Sequence, residues 1–260
     1  MNRAQNGDVT IAWEEAGSGD PIILIQGLGY PRWGWEPLVP RLARRFRVIS
    51  FDNRGIGESS VPPGPYTAAE MAEDAACVLD AAGVERAHVV GASLGGMIAQ
   101  ELALAHPERV DHLVLMCTTP GSPHGHPMPE ATVRLFAEAK ELEPAEALRR
   151  FVVNAFGADP DPRLVERIVA RRLESPPDPE GWAAQAAAGT TYAGGDRARR
   201  ISAPTLILTG TEDRVVDPRN SELLGEMIPN SKVRVLEGAG HLFFVERPDE
   251  VASLLEESLP

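Results

Sequence analysis

The pentapeptide Gly91-Ala92-Ser93-Leu94-Gly95 constrains this chain more than any other stretch. It follows the short apolar run Ala87-His88-Val89-Val90 and precedes a helical pattern from Met97 to Ala105. A strand that turns at once into a helix must pass through a tight, strained bend. Glycines on either side leave room there for neighbouring backbone. The serine is left exposed at the tip, beside a helix N-terminus whose free amides favour an anion. Taken alone, the pentapeptide has a second reading: a small-residue stretch that lets a helix pack closely on a sheet. The rest of the chain decides between them.

That rest alternates strand-like and helix-like segments. Val9 to Glu14 alternates as an exposed strand does, and Pro21 to Gln26 is the continuous apolar run of a strand buried on both faces. Helices are predicted over 35–45, 67–82, 96–106, 219–228 and 248–258, and strands over 47–51, 87–91, 110–116, 204–209 and 232–236. Thr67 with Glu70 three residues on can cap the second helix, and Gly83 stops it. This alternation implies an α/β fold, a mostly parallel sheet with helices on both faces and ligands at the carboxyl ends of the strands.

One interruption breaks the pattern. Between Thr118 and Ile201 lie Pro120, Gly121, Pro123, Gly125, Pro127 and Pro129, then helical stretches near 130–141, 144–156, 161–173 and 179–188. Ordinary loops have a median of about 4–6 residues, so so long a connection must hold structure of its own. It reads as a helical cap over the strand ends. The expected division is residues 1–119 and 201–260 as one core and 120–200 as the cap.

A chain of 260 residues with a formal charge of −13 suits one large domain and argues against sequence-independent nucleic-acid binding and docking on anionic membrane. The polar start, Met1 to Asp8, lacks the apolar core of a signal peptide, and no apolar stretch is long enough to cross a bilayer. Cys77 and Cys117 read as small buried hydrophobes, and the cytoplasm is the expected compartment.

Three further segments complete a chemical constellation. Leu206 to Gly210 leads into Thr211-Glu212-Asp213-Arg214, placing an acid past a strand end. Val235-Leu236-Glu237 leads into Gly238-Ala239-Gly240-His241, placing a histidine on a glycine-hinged loop. Leu24-Ile25-Gln26 leads into Gly27-Leu28-Gly29, a turn whose Leu28 amide can face the serine. A neutral serine hydroxyl is a weak nucleophile. It needs a base that titrates near neutrality, an acid to orient and stabilise that base, and donors aimed at the oxyanion. All four parts occur, in the order Ser, Asp, His.

With these segments in place, the chain resembles the α/β-hydrolase superfamily, in its esterase, enol-lactonase and C–C hydrolase-like branch with a helical cap. Phe51-Asp52-Asn53-Arg54-Gly55-Ile56-Gly57-Glu58-Ser59 is similar to that family's Asp-x-Arg-Gly-x-Gly-x-Ser loop, and Gly240 to Pro248 to its catalytic-histidine segment. The resemblance implies Ser93 as nucleophile, His241 as base, Asp213 as acid, and the Leu28 and Leu94 amides as oxyanion hole. It departs from many relatives in one respect, with Gln26-Gly27 where they carry His-Gly. What it implies is a cofactor-independent serine hydrolase acting on a small to medium carboxylic ester or lactone. A diketone C–C hydrolase, a haloperoxidase or perhydrolase side activity, and a non-catalytic ligand receptor are the alternatives. Haloalkane dehalogenases and epoxide hydrolases are disfavoured, because both carry aspartate at the position of Ser93.

Other candidates have plainer readings. Asp217 precedes Pro218 and suits a helix cap, Glu212 points away, and Asp52 and Arg54 brace their own loop. His88, His106 and His112 sit at element ends as structural residues, and His124-Gly125-His126 lacks the further ligands of a metal site. No metal or cofactor is expected. Arg149-Arg150 and Arg171-Arg172 read as solvated helix faces, while Trp33 and Trp35 either line the acyl pocket or pack beneath the cap.

Overall fold

The computed structural model describes all 260 residues. Eight strands form one sheet in the order β1-β2-β4-β3-β5-β6-β7-β8. They are β1 (Asn2–Asn6), β2 (Val9–Ala16), β3 (Asp20–Ile25), β4 (Phe46–Phe51), β5 (Ala87–Ala92), β6 (Val110–Met116), β7 (Thr205–Gly210) and β8 (Ser231–Leu236). β2 runs antiparallel to both β1 and β4, and every other pairing is parallel. β1 escapes the sequence pattern because it is short and polar, with Ala4 its one buried residue.

Ten helices follow the chain: α1 (Val39–Leu42), α2 (Ala68–Ala81), α3 (Leu94–Ala105), α4 (Glu130–Glu138), α5 (Pro144–Asn154), α6 (Pro162–Glu174), α7 (Pro179–Thr190), α8 (Arg219–Met227), α9 (Phe243–Glu246) and α10 (Pro248–Ser258). Thr67 caps α2 through the Glu70 amide, and the Glu70 carboxylate returns to the Thr67 amide. The helix expected over 35–45 is a correction. Pro37 and Pro40 each lack an N–H and crowd the preceding turn, so only a 3₁₀ turn at Arg32–Trp35 and the four-residue α1 form. None of the helices is long and apolar enough to cross a membrane.

Strand alternation sorts the core into two layers. Ile23 and Ile25 of β3 join Val89, Leu113 and Ile207 beneath α2, α3 and α8. Their neighbours Ile22 and Leu24 join Val90, Val114 and Leu208 on the other face, against Leu42 of α1 and Val251 and Leu255 of α10. Two buried faces explain why β3 and β5 carry almost no polar residues.

Helices α4 to α7 lie between β6 and β7 and pack onto the loops at the strands' carboxyl ends. Gln185 of α7 accepts from the Gly29 amide at 3.0 Å and donates to the Arg54 carbonyl at 2.7 Å. Past α5, the Ala155 carbonyl accepts from the Leu242 amide at 2.8 Å. From α4, the Thr132 hydroxyl donates to the Arg214 carbonyl. The insertion is thus tied to the turn after β3, to the loop after β8 and to the loop after β7.

Candidate active site

Ser93 stands between β5 and α3 with φ 55° and ψ −121°, one of two non-glycine residues with positive φ. Strain of this kind, of order 1–3 kcal/mol, persists only where the surroundings enforce it. Here they do. The Ser93 amide donates to the Met116 carbonyl at 2.9 Å, and the Ser93 carbonyl accepts from the Gly96 amide at 2.9 Å and the Thr118 hydroxyl at 2.7 Å. The flanking glycines permit the close approach. A Cβ on Gly91 would fall 2.2 Å from the Gly95 carbonyl oxygen, and one on Gly95 would fall 2.0 Å from that of Ile25.

The turn after β3 lies against this serine, since a Cβ on Gly27 would be 3.1 Å from Ser93 Cβ and 3.7 Å from its Oγ. Leu94 is the first residue of α3, so its N–H has no acceptor within the helix. The Leu28 N–H likewise donates to no backbone carbonyl. Two uncommitted donors therefore come from the elements that flank Ser93. Gln26 folds back so that its Oε1 accepts from the Gly27 amide at 2.8 Å, while its buried Nε2 has no partner.

Asp213 and His241 meet. His241 Nδ1 is 2.8 Å from Asp213 Oδ2, and both side chains are buried. The other carboxylate oxygen accepts from the Val215 and Val216 amides at 2.8 and 2.9 Å, which fixes the acid's orientation. Burial alone would pull the His241 pKa down, but the Asp213 carboxylate and the Cys117 side chain together push it up, and the net direction is well above the ordinary 6.5. The Ser93 hydroxyl makes no hydrogen bond to the imidazole in this arrangement. Such bonds often tighten only in the complex with substrate.

Two neighbours were invisible in the sequence. Cys117, past the end of β6, is buried as expected, yet one polar atom each from Cys117, Asp213 and His241 lie within 4.8 Å of one another. Its side chain also meets the Ser93 backbone amide, so it bridges the serine and histidine segments. Burial pushes this thiol's pKa up, against the opposing pull of the neighbouring imidazole. Glu246 of α9 is the second. Its two carboxylate oxygens accept from the Gly240 and Gly157 amides, both at 3.0 Å, joining the histidine loop to the insertion. A glutamate five residues past His241 gives no signal of that reach.

The other candidates resolve individually. Asp217 accepts from the Arg219 amide at the start of α8 and pairs with that arginine's guanidinium, while Glu212 pairs with Arg214. Asp52 accepts from the Arg32 and Glu58 amides, and Arg54 grips Asp74 through two bonds of 2.6 and 2.8 Å, so both brace their loop. Arg149 pairs with Glu166 and Arg150 with Glu146. The adjacent arginine pair departs from a purely solvated role: Arg171 stacks on Trp33 and Arg172 on Tyr30, each 4.6 Å from the ring centre. Trp35 is corrected as a pocket residue. It is fully buried against Phe244, with ring centres 4.8 Å apart, and only Trp33 borders open space. That space is a cavity of about 670 Å³ beside Gln26, Tyr30, Trp33, Arg171 and Leu242, adjoining the site without being lined by Ser93 or His241. His106 pairs with Glu73 and His124 with Asp196.

A sequence model of the alpha/beta hydrolase fold matches residues 20–248. A protein of Azorhizobium caulinodans that bears the carbamate-hydrolase name RutD is 33% identical, over 98% of this chain and 97% of its own length. The chain belongs to the alpha/beta hydrolase fold family. As a member of this family it is an enzyme. Among solved structures, an N-acyl homoserine lactone degrading enzyme has a TM-score of 0.84 at 32% identity, covering 98% of this chain and 99% of the other. The enol-lactonase from Burkholderia xenovorans has a TM-score of 0.85 at 26% identity, covering 99% of both chains. This hydrolase thus shares its fold with both structures over nearly its full length.

Proposed function

We propose that this hydrolase cleaves a small to medium carboxylic ester or lactone through a Ser93-His241-Asp213 triad and an acyl-enzyme. The observation that carries the reading is the buried 2.8 Å pair of His241 and Asp213, bridged by Cys117 to the strained Ser93 turn. Ser93 Oγ attacks the carbonyl carbon as its proton passes to His241 Nε2. Nδ1–H remains on Asp213, which stabilises the imidazolium. The Leu28 and Leu94 amides receive the oxyanion. His241 then gives its proton to the departing alkoxide oxygen, the C–O bond breaks, and the acyl group stays on Ser93. Water, deprotonated by the same imidazole, repeats the sequence and releases the acid. A lactone follows the same steps, its alcohol remaining attached to the acyl chain.

Helices α4 to α7 serve as the cap in this reading. They touch the loops that carry the oxyanion turn, the acid and the base, yet supply none of the reacting groups. The relatives' names support the substrate class, with lactone-degrading enzymes among the structural neighbours and a pimeloyl-[acyl-carrier protein] methyl ester esterase of Aeromonas hydrophila at 29% identity. The test is a panel of p-nitrophenyl esters, simple lactones and a diketone, run on the parent and on Ser93→Ala. Turnover of esters or lactones that vanishes in the variant is expected. Turnover of the diketone alone would replace this reading with C–C hydrolysis, and binding without any turnover would make the protein a receptor.

A further inference from the structure

The opposite end of the sheet carries a second cluster. Along β5, Ala87 pairs with Val110 of β6, but Val89 pairs with Leu113, so β6 takes three steps where β5 takes two. In a regular strand Asp111 and His112 would point to opposite faces. The bulge turns both toward His88, the β5 residue they bracket.

The resulting geometry is that of a ligand set. Asp111 Oδ2 lies 3.3 Å from His88 Nδ1 and 3.1 Å from His112 Nδ1, and one donor atom from each of the three residues lies within 4.8 Å of the others. A tetrahedral zinc ion with bonds of about 2.0–2.1 Å separates its ligands by about 3.3 Å. His88 is 3% exposed, and its Nδ1 has no hydrogen-bond partner despite that nearby carboxylate. An orphaned ring nitrogen so deeply buried is costly, and a metal ion would satisfy it. The surroundings hold the set in place. Phe46 packs edge-on to the His88 ring, and Arg86 Nη2 takes the other Asp111 oxygen at 3.1 Å, leaving Oδ2 for the imidazoles. A cavity of about 220 Å³, bordered by Asp20, His88 and Asp111, gives an ion a way in.

We infer that His88, Asp111 and His112 bind one divalent transition-metal ion of the zinc class. Two imidazoles and a carboxylate suit that borderline metal better than magnesium or calcium, which favour oxygen alone. The fourth position belongs to water or to Asp20. Five strand residues, about 16 Å, separate His88 from Ser93, so the ion takes no part in hydrolysis. It would instead clamp β5 to β6, the strands that lead into Ser93 and Cys117.

The full-length protein, stripped with a chelator and dialysed, is titrated with zinc alone and with cobalt alone. One zinc per chain, the visible absorption of tetrahedral cobalt, and a rise in Tm with zinc are expected. His112→Ala removes a partly buried ligand and should abolish binding and the Tm rise, while Ser93 labelling by a fluorophosphonate is unchanged. His88→Gln should do the same to binding. No stoichiometric binding by the parent overturns the inference. So does binding that survives His112→Ala, or that is lost instead in Cys117→Ala, which would put the ion in the cluster beside His241.

Discussion

At the scale of the residue, the imidazole of His241 serves two states with opposite pH demands. Its folded pKa is raised, so the native protein holds this proton more tightly than the unfolded chain does. The resulting stability is fully present below the unfolded value of about 6.5 and is lost as pH rises through the folded one. The proposed mechanism needs the neutral base, so ester turnover should rise with pH through a midpoint above 6.5, over the same window in which the pair's contribution to stability fades. Rate and unfolding measurements across pH 5–10 check both slopes, and a midpoint below the ordinary histidine range would contradict the Asp213 pairing. In Asp213→Asn that midpoint should fall and kcat should drop by about 10⁴. The strained turn at Ser93 and the positions of Asp213 and His241 were legible from sequence because each stands where an apolar strand gives way to a loop. Cys117 and the His88 cluster were not. The first gains its meaning from a histidine far along the chain, and the second from a bulge that overrides strand alternation.

At the scale of the element, the turn around Ser93 is built by exclusion of side chains. Gly95→Ala would drive a Cβ to 2.0 Å from the Ile25 carbonyl oxygen, backbone that cannot swing aside. A loss of about 1–3 kcal/mol in chemical denaturation is expected, the usual cost of overpacking. The short α9 acts on the opposite side of the site. Glu246→Ala removes the acceptor shared by the Gly240 and Gly157 amides, loosening the loop that aims His241. Roughly 10–100-fold should be lost from kcat with little change in KM, and Glu246→Gln, which keeps one acceptor oxygen, should recover part of it. An unchanged kcat in Glu246→Ala would remove this residue from the positioning of the base. The elements themselves were readable wherever periodicity and caps agreed, as in α2 with its Thr67–Glu70 box. The pattern misleads at 35–45, where Pro37 and Pro40 interrupt an otherwise apolar helical periodicity, and at β1, where polarity hides a strand that exists by pairing with β2.

At the scale of the whole molecule, the proposed mechanism puts chemistry and selectivity on different parts of the chain. The sheet carries Ser93, Asp213 and His241 at its carboxyl edge, and α4 to α7 bind that edge through the Gly29, Arg214 and Leu242 backbone. Exchange of residues 120–200 for the corresponding segment of an esterase with different preferences should change kcat/KM ratios among esters, with Ser93 still labelled by a small phosphonate. A well-folded chimera that no longer labels would show that the insertion helps to activate the serine. The sheet and the long insertion were visible in the alternation and its single break. How the insertion is pinned was not, because Gln185 and Thr132 are ordinary helix residues until the fold brings a loop amide or carbonyl within reach. The central claim, that this whole assembly exists to make one serine nucleophilic, is tested most directly by fluorophosphonate labelling followed by peptide mapping. A single adduct on Ser93, formed in step with the loss of ester turnover and absent in Ser93→Ala, is the predicted result. An adduct on another residue, or full ester turnover by a folded Ser93→Ala protein, would contradict it.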